Sequence, residues 1–274
     1  MDWSKTKTIF IAVFLVLDIF LAVMFFNKYS ASRFEVIKAT TIEQKLDEDG
    51  VKYEKMPADS GERSIITAKP KIFSENDLLF LTKQELAISS KGTKIASVLD
   101  KPYDTDGATR DKLNSFVKNN VYQGGEYSYW ERSQDGQTVT YYQKIENKKL
   151  FENAYGTLTL QLDDDGNIEE YSQTMLDSDD EDRNEEAILP ALQALDALYK
   201  NGFIQPDSKI SDAELGYYTV QLNESQVLES QVLESQVLQV LSPTWYFQLE
   251  KGDITEEVYV NAFDGSIYQT EKES

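Results

Sequence analysis

The sequence predicts an α+β protein: a single N-terminal transmembrane helix, followed by an extracytoplasmic domain of two halves that each combine a helix with an antiparallel sheet. Three observations lead to this fold class. Residues 9–26 are apolar apart from one acid. Helical patterns at residues 106–121 and 185–202 are each followed by alternating, aromatic-rich segments, which are typical of antiparallel strands. The chain of 274 residues is long enough to bury a substantial core.

The apolar run at residues 9–26 can cross a membrane. A helix of about 18 residues is about 27 Å long, close to the thickness of the hydrocarbon core. Its Ile, Leu, Val and Phe residues outweigh the cost of Asp18, roughly 2.5 to 3.5 kcal/mol at the membrane centre, so insertion is marginally favoured. A cleaved signal peptide is the alternative, because Lys5 and Lys7 precede the run and small residues follow it at 30–32. The length of the run favours an uncleaved anchor.

The lengths of the segments on either side of this run predict its orientation. Long domains translocate largely regardless of the charges that flank the helix. We therefore expect a single-pass protein of the cell membrane, with its N-terminus in the cytoplasm and its C-terminal domain outside the cell. The predicted order is a cytoplasmic tail at residues 1–8, the transmembrane helix at 9–26, a first α+β half at 27–180 and a second at 181–274.

Asp18 is the candidate functional residue of the transmembrane helix. An acid at the centre of a bilayer must face protein or water, and it normally marks a contact with a partner. Ala22 is small enough to allow another helix to approach closely. We therefore predict that one face of the helix contacts a transmembrane partner; the alternative is an acid tolerated in a short-lived signal segment. The residues that share this face with Asp18 at helical spacing are Ile11, Phe14, Leu15, Leu21, Ala22 and Phe25.

The segment after the anchor predicts a short helix and then a strand. Residues 40–50, "TTIEQKLDEDG", have Thr40 or Thr41 as a helix cap and Gly50 as the helix end. The following "VKYEKM" alternates apolar and polar residues, as a strand does. Residues 57–106 contain only short strand-like pieces between prolines and glycines, and the pattern does not assign them.

The first strong helical pattern, at residues 106–121, precedes the segment that is predicted to form the first sheet. Asp106 or Thr109 is available as the helix cap. The segment that follows, up to residue 176, alternates in short aromatic-rich stretches broken at "QDGQ", "ENKK" and "DDDGN", which predicts a meander of about four strands. The apolar face of the helix consists of Leu113, Phe116 and Val117.

The second half repeats the order of helix and sheet. The charged run at residues 177–186 is interpreted as a solvated connector that leads into a helix. That helix is predicted to start at Ile188 or Leu189, with Pro190 in its first turn, and to end at Gly202. Three strands follow in "AELGYYTVQL", "PTWYFQLEKGD" and "EEVYVNAFDGSIYQ", the last containing an Asp-Gly hairpin turn.

A fivefold repeat interrupts the second half. Residues 224–238 read "ESQVLESQVLESQVL". Neither a helix nor a strand places residues five apart on one face, so the Val-Leu pairs cannot line a single surface. We interpret the repeat as a tandem insertion that lengthens a connector or hairpin.

The composition excludes several classes of chemistry and predicts neither catalytic residues nor a cofactor. The chain has no histidine and no cysteine, which removes imidazole catalysis, His-ligated zinc and disulfides. A formal net charge of −21 argues against nucleic acid as a partner. The acidic "DDDGNIEE" at residues 163–170 lacks the ligand spacing of a calcium-binding EF-hand and is interpreted as a hairpin turn. No metal site is predicted.

Five aromatic residues support an alternative function. Rings at strand spacing can stack on a sugar, although they more often pack in the core. On this basis the protein could be an exported cell-wall carbohydrate-binding protein, or a hydrolase whose paired carboxylates the sequence does not single out. The rings in question are Trp130, Tyr141, Tyr142, Trp245 and Tyr246.

Several segments together resemble the YycI (WalI) family. They are the opening "MDWSKTKTIFIAVFLVLDIFL", the central "GTLTLQLDDDGNIEEYSQTML", "SKISDAELGYYTVQL", and the closing "SPTWYFQLEKGD" with "VYVNAFDGSIYQ". The ESQVL repeats depart from the family pattern. The resemblance implies a non-enzymatic accessory regulator, anchored in the lipid bilayer by its N-terminal helix, with an extracytoplasmic domain related to part of the companion protein YycH. It also implies that the two proteins act together on the sensor histidine kinase WalK of the WalK–WalR (YycG–YycF) two-component system, which controls cell-wall metabolism in Gram-positive bacteria. The sign of that regulation does not follow from the resemblance.

Overall fold

The computed structural model describes residues 7, 14–15, 17–22, 40–89, 91–178, 184–220 and 238–268. The chain separates into two units, Met1–Gly50 and Val51–Ser274. In the first unit, the described residues between 7 and 22 are helical, and helix α1 covers Thr40–Glu48. The predicted helix in this segment is confirmed, although Thr40 already lies within it. Gly50 follows the helix end with a φ of 68°, a left-handed conformation that glycine adopts without strain.

The second unit contains an antiparallel sheet to which the first aromatic-rich segment contributes four strands and residues 84–103 contribute two. Its strand order is β6-β7-β9-β10-β5-β4. The prediction of a meander between residues 124 and 176 is confirmed, with a short additional strand, β8 (Lys148–Phe151), after β7. The sheet strands are β4 (Gln84–Ile88), β5 (Lys94–Tyr103), β6 (Tyr127–Arg132), β7 (Thr138–Ile145), β9 (Thr157–Leu162) and β10 (Ile168–Thr174).

A helix covers one face of this sheet, as the sequence predicts. Helix α3 (Arg110–Asn120) starts after Thr109, one of the two predicted caps, and follows the short α2 (Glu75–Leu78) in the chain. Its three predicted core residues are buried and pack on rings and aliphatic side chains of β6, β7, β9 and β10. A 3₁₀ turn at Gly124–Glu126 then leads into β6. This packing holds α3 in a fixed position on the sheet.

The remaining strands form a region that continues from the first sheet. The β7-β8 hairpin joins the two regions, and the order continues from β8 through β13, β14 and β3 to β11. Strands β1 and β8 run parallel to β13, and β15 pairs with both β14 and β16. The bounds are β1 (Lys52–Tyr53), β3 (Ile66–Pro70), β8 (Lys148–Phe151), β11 (Leu176–Ser178), β13 (Lys209–Thr219), β14 (Gln239–Lys251), β15 (Ile254–Asn261) and β16 (Ile267–Tyr268).

The three strands predicted for the last third are confirmed. The Asp264-Gly265 pair forms the turn between β15 and β16, and Gly265 has a φ of 74°. Most of the ESQVL insertion lies outside the described residues, with only Leu238 inside them. The division of the extracytoplasmic domain near residue 180 stays a prediction.

The start of the second predicted helix is wrong. Helix α4 covers Ala191–Lys200, and Pro190 is its N-cap rather than part of its first turn. The residue before a proline is disfavoured in the helical conformation, so the chain at 188–189 stays extended. There the backbone N–H of Ile188 donates to the Gly61 carbonyl at 3.0 Å, and that of Leu189 donates to Ala262 at 2.7 Å.

The charged connector is also more structured than the sequence predicts. Its last part belongs to a strand, β12 (Glu185–Ala187), that pairs with β2 (Glu62–Ser64) in a separate two-stranded sheet. The predicted end of the following helix is confirmed, because Gly202 follows α4 with a φ of 78°.

Candidate functional site

The predicted transmembrane face is described only in part. Phe14, Leu15, Asp18, Leu21 and Ala22 are helical and exposed. The other two residues of that face, at positions 11 and 25, lie outside the described residues. The exposed fractions of the apolar side chains are large, for example 59% for Phe14 and 53% for Leu21. Among the described residues, no helix meets the length and hydropathy that a membrane span requires.

The geometry of an α-helix brings the described residues of this face together. Positions 14, 18 and 22 are one turn apart, and positions 15 and 21 flank them. Leu17, Ile19 and Phe20 point to the other sides of the helix and are also exposed. Among the described residues between 14 and 22, Asp18 is the one with a charged side chain, and the others are apolar.

The aromatic residues considered for sugar stacking are mostly in the core. Trp245 is 0% exposed, Tyr141 is 1% and Tyr246 is 2%. The Trp245 indole N–H donates to the Leu189 carbonyl at 2.7 Å, which ties β14 to the segment before α4. Of the five rings, only Trp130 is half-buried rather than buried. Core packing, the more common role of rings at strand spacing, is therefore the one observed.

Trp130 marks the edge of a cluster of rings to which both regions of the sheet contribute. Its ring lies 5.2 Å from that of Tyr142 and 4.8 Å from that of Tyr246, the latter edge to face. Tyr218 stacks on Tyr259 at 5.0 Å, and the Tyr246 and Tyr259 rings are 5.5 Å apart. The rings fill the space between β6, β7, β13, β14 and β15.

Three glutamates border this ring cluster, and the sequence analysis missed them. Burial, together with the charge of Glu257, raises the pKa of Glu131. Burial and the charges of Glu257 and Glu131 also raise the pKa of Glu152, which sits in a left-handed conformation with a φ of 47°. The Tyr246 hydroxyl donates to the Glu257 carboxylate at 3.0 Å. Because the three come from separate strands and loops, no local sequence signal connects them.

The raised pKa values of Glu131 and Glu152 mean that these side chains bind a proton more readily than free carboxylates do. In the part of the chain that the structure describes, no three Asp or Glu side chains are placed to hold a metal ion. The buried Tyr259 hydroxyl has no hydrogen-bond partner within the described ranges, and its burial together with the nearby Glu152 charge raises the pKa of Tyr259. The arrangement therefore favours the protonated form of Glu152 over a wider pH range than in free solution.

An exposed apolar loop is the second feature that the sequence left unassigned. We call residues 72–80 the exposed loop; Phe80 is 89% exposed, Leu79 69% and Ile72 53%. The loop is held in place from within, because Phe73 is buried and its N–H donates to the Gly92 carbonyl at 2.7 Å.

Helix α2 shapes the same loop. Both the backbone N–H and the hydroxyl of Ser74 donate to Asp77 Oδ2 at 2.8 Å, a reciprocal cap at the helix start. Those hydrogen bonds lower the pKa of Asp77 below its ordinary value, although burial opposes them. Adjacent large apolar side chains on an ordered loop are typical of a protein contact surface.

A family model described as "YycI protein" matches residues 31–263. Two solved structures match the chain, each with a TM-score below 0.5. An uncharacterized protein from Eubacterium rectale is 11% identical, with a TM-score of 0.46 over 81% of this chain and 92% of that chain. The Bacillus megaterium YpeB C-terminal domain is 10% identical, with a TM-score of 0.40 over 84% of this chain and 94% of that chain. None of the curated proteins with which the chain was compared matches it.

Proposed function

The chain belongs to the YycI family, and we propose on that basis that it is a non-enzymatic accessory regulator of the sensor histidine kinase WalK (YycG). The observation that carries the proposal is the family match over residues 31–263, which includes nearly all the described sheet. In this proposal the protein acts together with a YycH-like protein, and the process controlled is cell-wall metabolism. The chain has no histidine, so imidazole acid–base catalysis is not available to it.

The N-terminal segment is proposed to anchor the protein and to contact the kinase complex. In this arrangement residues 9–26 cross the cell membrane once, residues 1–8 are cytoplasmic and the sheet domain lies outside. The exposed apolar side chains around Asp18 support the proposal, since a helix that is apolar on all sides is stable only in apolar surroundings. Asp18 would then hydrogen-bond to a polar group of a neighbouring helix, because an isolated acid facing lipid is costly.

The exposed loop is proposed as the surface through which the extracytoplasmic domain binds the YycH-like protein. Phe80 and Leu79 are adjacent and more than two-thirds exposed, at 89% and 69%. Burying such side chains against a partner stabilises the complex by about 1.5 to 3 kcal/mol each. Aromatic side chains are also enriched among the residues that dominate binding energies at interfaces.

The experiment that tests the function replaces Asp18 in the full chain. We expect Asp18→Leu to lower co-purification with WalK from membranes and to change the output of a WalK-dependent reporter. Asp18→Asn keeps the ability to form hydrogen bonds and is expected to behave more like wild type. Leu17→Ala, on another side of the helix, is the matched control. Wild-type co-purification and wild-type reporter output for Asp18→Leu would show that the acid has no part in the regulation.

A further inference from the structure

A cavity of about 490 Å³ lies between helix α3 and the strands beneath it. One wall is the side of α3 that faces β6, where Arg110, Asn114 and Lys118 follow one another at four-residue spacing. The opposite wall is formed by the glycines of the 3₁₀ turn and by β6, including Tyr129. Its volume falls within the range of about 300 to 1,000 Å³ that small-molecule sites occupy.

The charged side chains that line this cavity are positive, whereas the net charge of the protein is negative. Three cationic side chains and no carboxylate line it, although the chain carries a formal net charge of −21. The Lys149 ammonium is already paired with Glu214 at 2.6 Å. Among the residues that the structure describes, Arg110 and Lys118 form no ion pair. Two cations at this wall are therefore free to bind an anion.

Arg110 also contacts an aromatic ring of the opposite wall. Its guanidinium lies 4.1 Å from the centre of the Tyr129 ring, where a cation–π contact holds it. The N–H groups of a guanidinium match the geometry of phosphate and carboxylate oxygens.

Asn114 adds a neutral donor between the two cations. The Tyr141 hydroxyl, on a side chain that is 1% exposed, donates to Asn114 Oδ1 at 2.9 Å. Because the amide oxygen is used in this bond, the amide N–H₂ group points away from Tyr141 and can donate to a ligand. The wall thus presents guanidinium, amide and ammonium donors in a row along α3.

We propose that this cavity binds the phosphate or carboxylate group of a small anionic ligand. An inorganic oxyanion alone would leave much of the volume unfilled, so the ligand also carries an uncharged body that packs against Tyr129 and the neighbouring Tyr127 ring. The site does not depend on the regulatory role proposed above. An oxyanion of this kind could belong to a soluble metabolite or to a lipid headgroup, which the experiment distinguishes.

The test uses the full chain in uncharged detergent and measures binding by calorimetry. The probes are inorganic phosphate, glycerol 3-phosphate and citrate, with phosphatidylglycerol vesicles as a separate arm. We expect saturable binding of at least one soluble probe or of the vesicles. We expect Arg110→Gln to weaken this binding at least tenfold and Lys118→Gln to weaken it severalfold. Binding of the vesicles alone, weakened by Arg110→Gln and not by Lys112→Gln, would assign the oxyanion to a lipid headgroup, because insertion of the N-terminal helix does not depend on Arg110.

A matched control separates the site from general electrostatics. Lys112 lies on the same helix but does not line the cavity, and Lys112→Gln makes the same change in charge. We expect this variant to bind like wild type. If Arg110→Gln fails to fold, as judged by thermal unfolding, Lys118→Gln alone decides the question. The proposal is wrong if no probe binds saturably, or if Lys112→Gln weakens binding as much as the two cavity variants.

Discussion

Two adjacent glycines below helix α3 allow a sharp test of the packing. A Cβ on Gly124 would lie 1.8 Å from the Val117 carbonyl oxygen and 2.6 Å from its carbonyl carbon. A Cβ on Gly125 would meet no heavy atom within 4 Å. We therefore predict that Gly124→Ala strongly destabilises the protein, whereas Gly125→Ala does not.

The size of the effect follows from the contact. Carbon and oxygen atoms that are not bonded approach to about 3.3 to 3.6 Å, so the helix and the turn must separate by about 1.5 Å. The two atoms that would clash with the added Cβ belong to the backbone of Val117, so no change of side-chain rotamer relieves the clash. Overpacking typically costs about 1 to 3 kcal/mol, and this contact belongs at the upper end. For a unit of this size, about 3 kcal/mol corresponds to a fall in Tm of about 6 to 12 °C.

The assay is thermal unfolding of the full chain, followed by intrinsic tryptophan fluorescence, to which the buried Trp245 contributes. We expect Gly125→Ala to lie within about 0.5 kcal/mol of wild type, as surface substitutions usually do. An unchanged Tm for Gly124→Ala would refute the proposed close approach between α3 and the 3₁₀ turn. Equal losses for the two variants would show that the turn requires glycine for its conformation and not for space.

Two further predictions concern the exposed loop and the glutamate cluster. Phe80→Ser is expected to reduce co-purification with the YycH-like protein without changing the Tm. The control is Ile254→Ser, at an apolar residue elsewhere that is 71% exposed, and it is expected to co-purify like wild type. Equal recovery of the YycH-like protein with both variants would contradict a contact through the exposed loop. The pKa of Glu152 is raised in the folded chain, so between the ordinary pKa of 4.5 and the raised value the folded state holds a proton that the unfolded state has released. The free energy of unfolding therefore falls as the pH rises through this range. Glu152→Gln is expected to flatten that dependence in urea unfolding between pH 4 and 8, and an unchanged slope would contradict the assignment.

The parts of the fold that sequence reasoning predicted are those with a strong local pattern. The three apolar residues of α3 repeat at helical spacing, and all are buried. The Asp264-Gly265 turn is equally local, because Gly265 provides the positive φ that the turn requires. By contrast, β2 and β12 are three residues each and pair across more than a hundred residues of chain, so neither has a pattern that could be recognised alone.

The candidate sites were harder to predict for the same reason. Arg110, Asn114 and Lys118 share a helix face that the sequence could define, but polar residues on such a face are usually only solvated. Their proposed role in binding depends on the opposite wall, which β6 supplies through tertiary packing. The three glutamates at the ring cluster also meet only in the folded chain. Asp18 was recognisable from sequence alone because its apolar neighbours make it unusual within its own segment.

The pairing of β3 with β14 has a consequence for the time course of folding. Ile66 lies opposite Leu241 in the sheet, and Ala68 lies opposite Gln239. During synthesis at about 5 to 20 residues per second, roughly 10 to 35 s therefore pass between the appearance of β3 and that of its partner. For this interval one edge of β3 has no strand to pair with, and unpaired edges promote association between chains. Aggregation of the nascent chain should accordingly depend on how fast its last third is made.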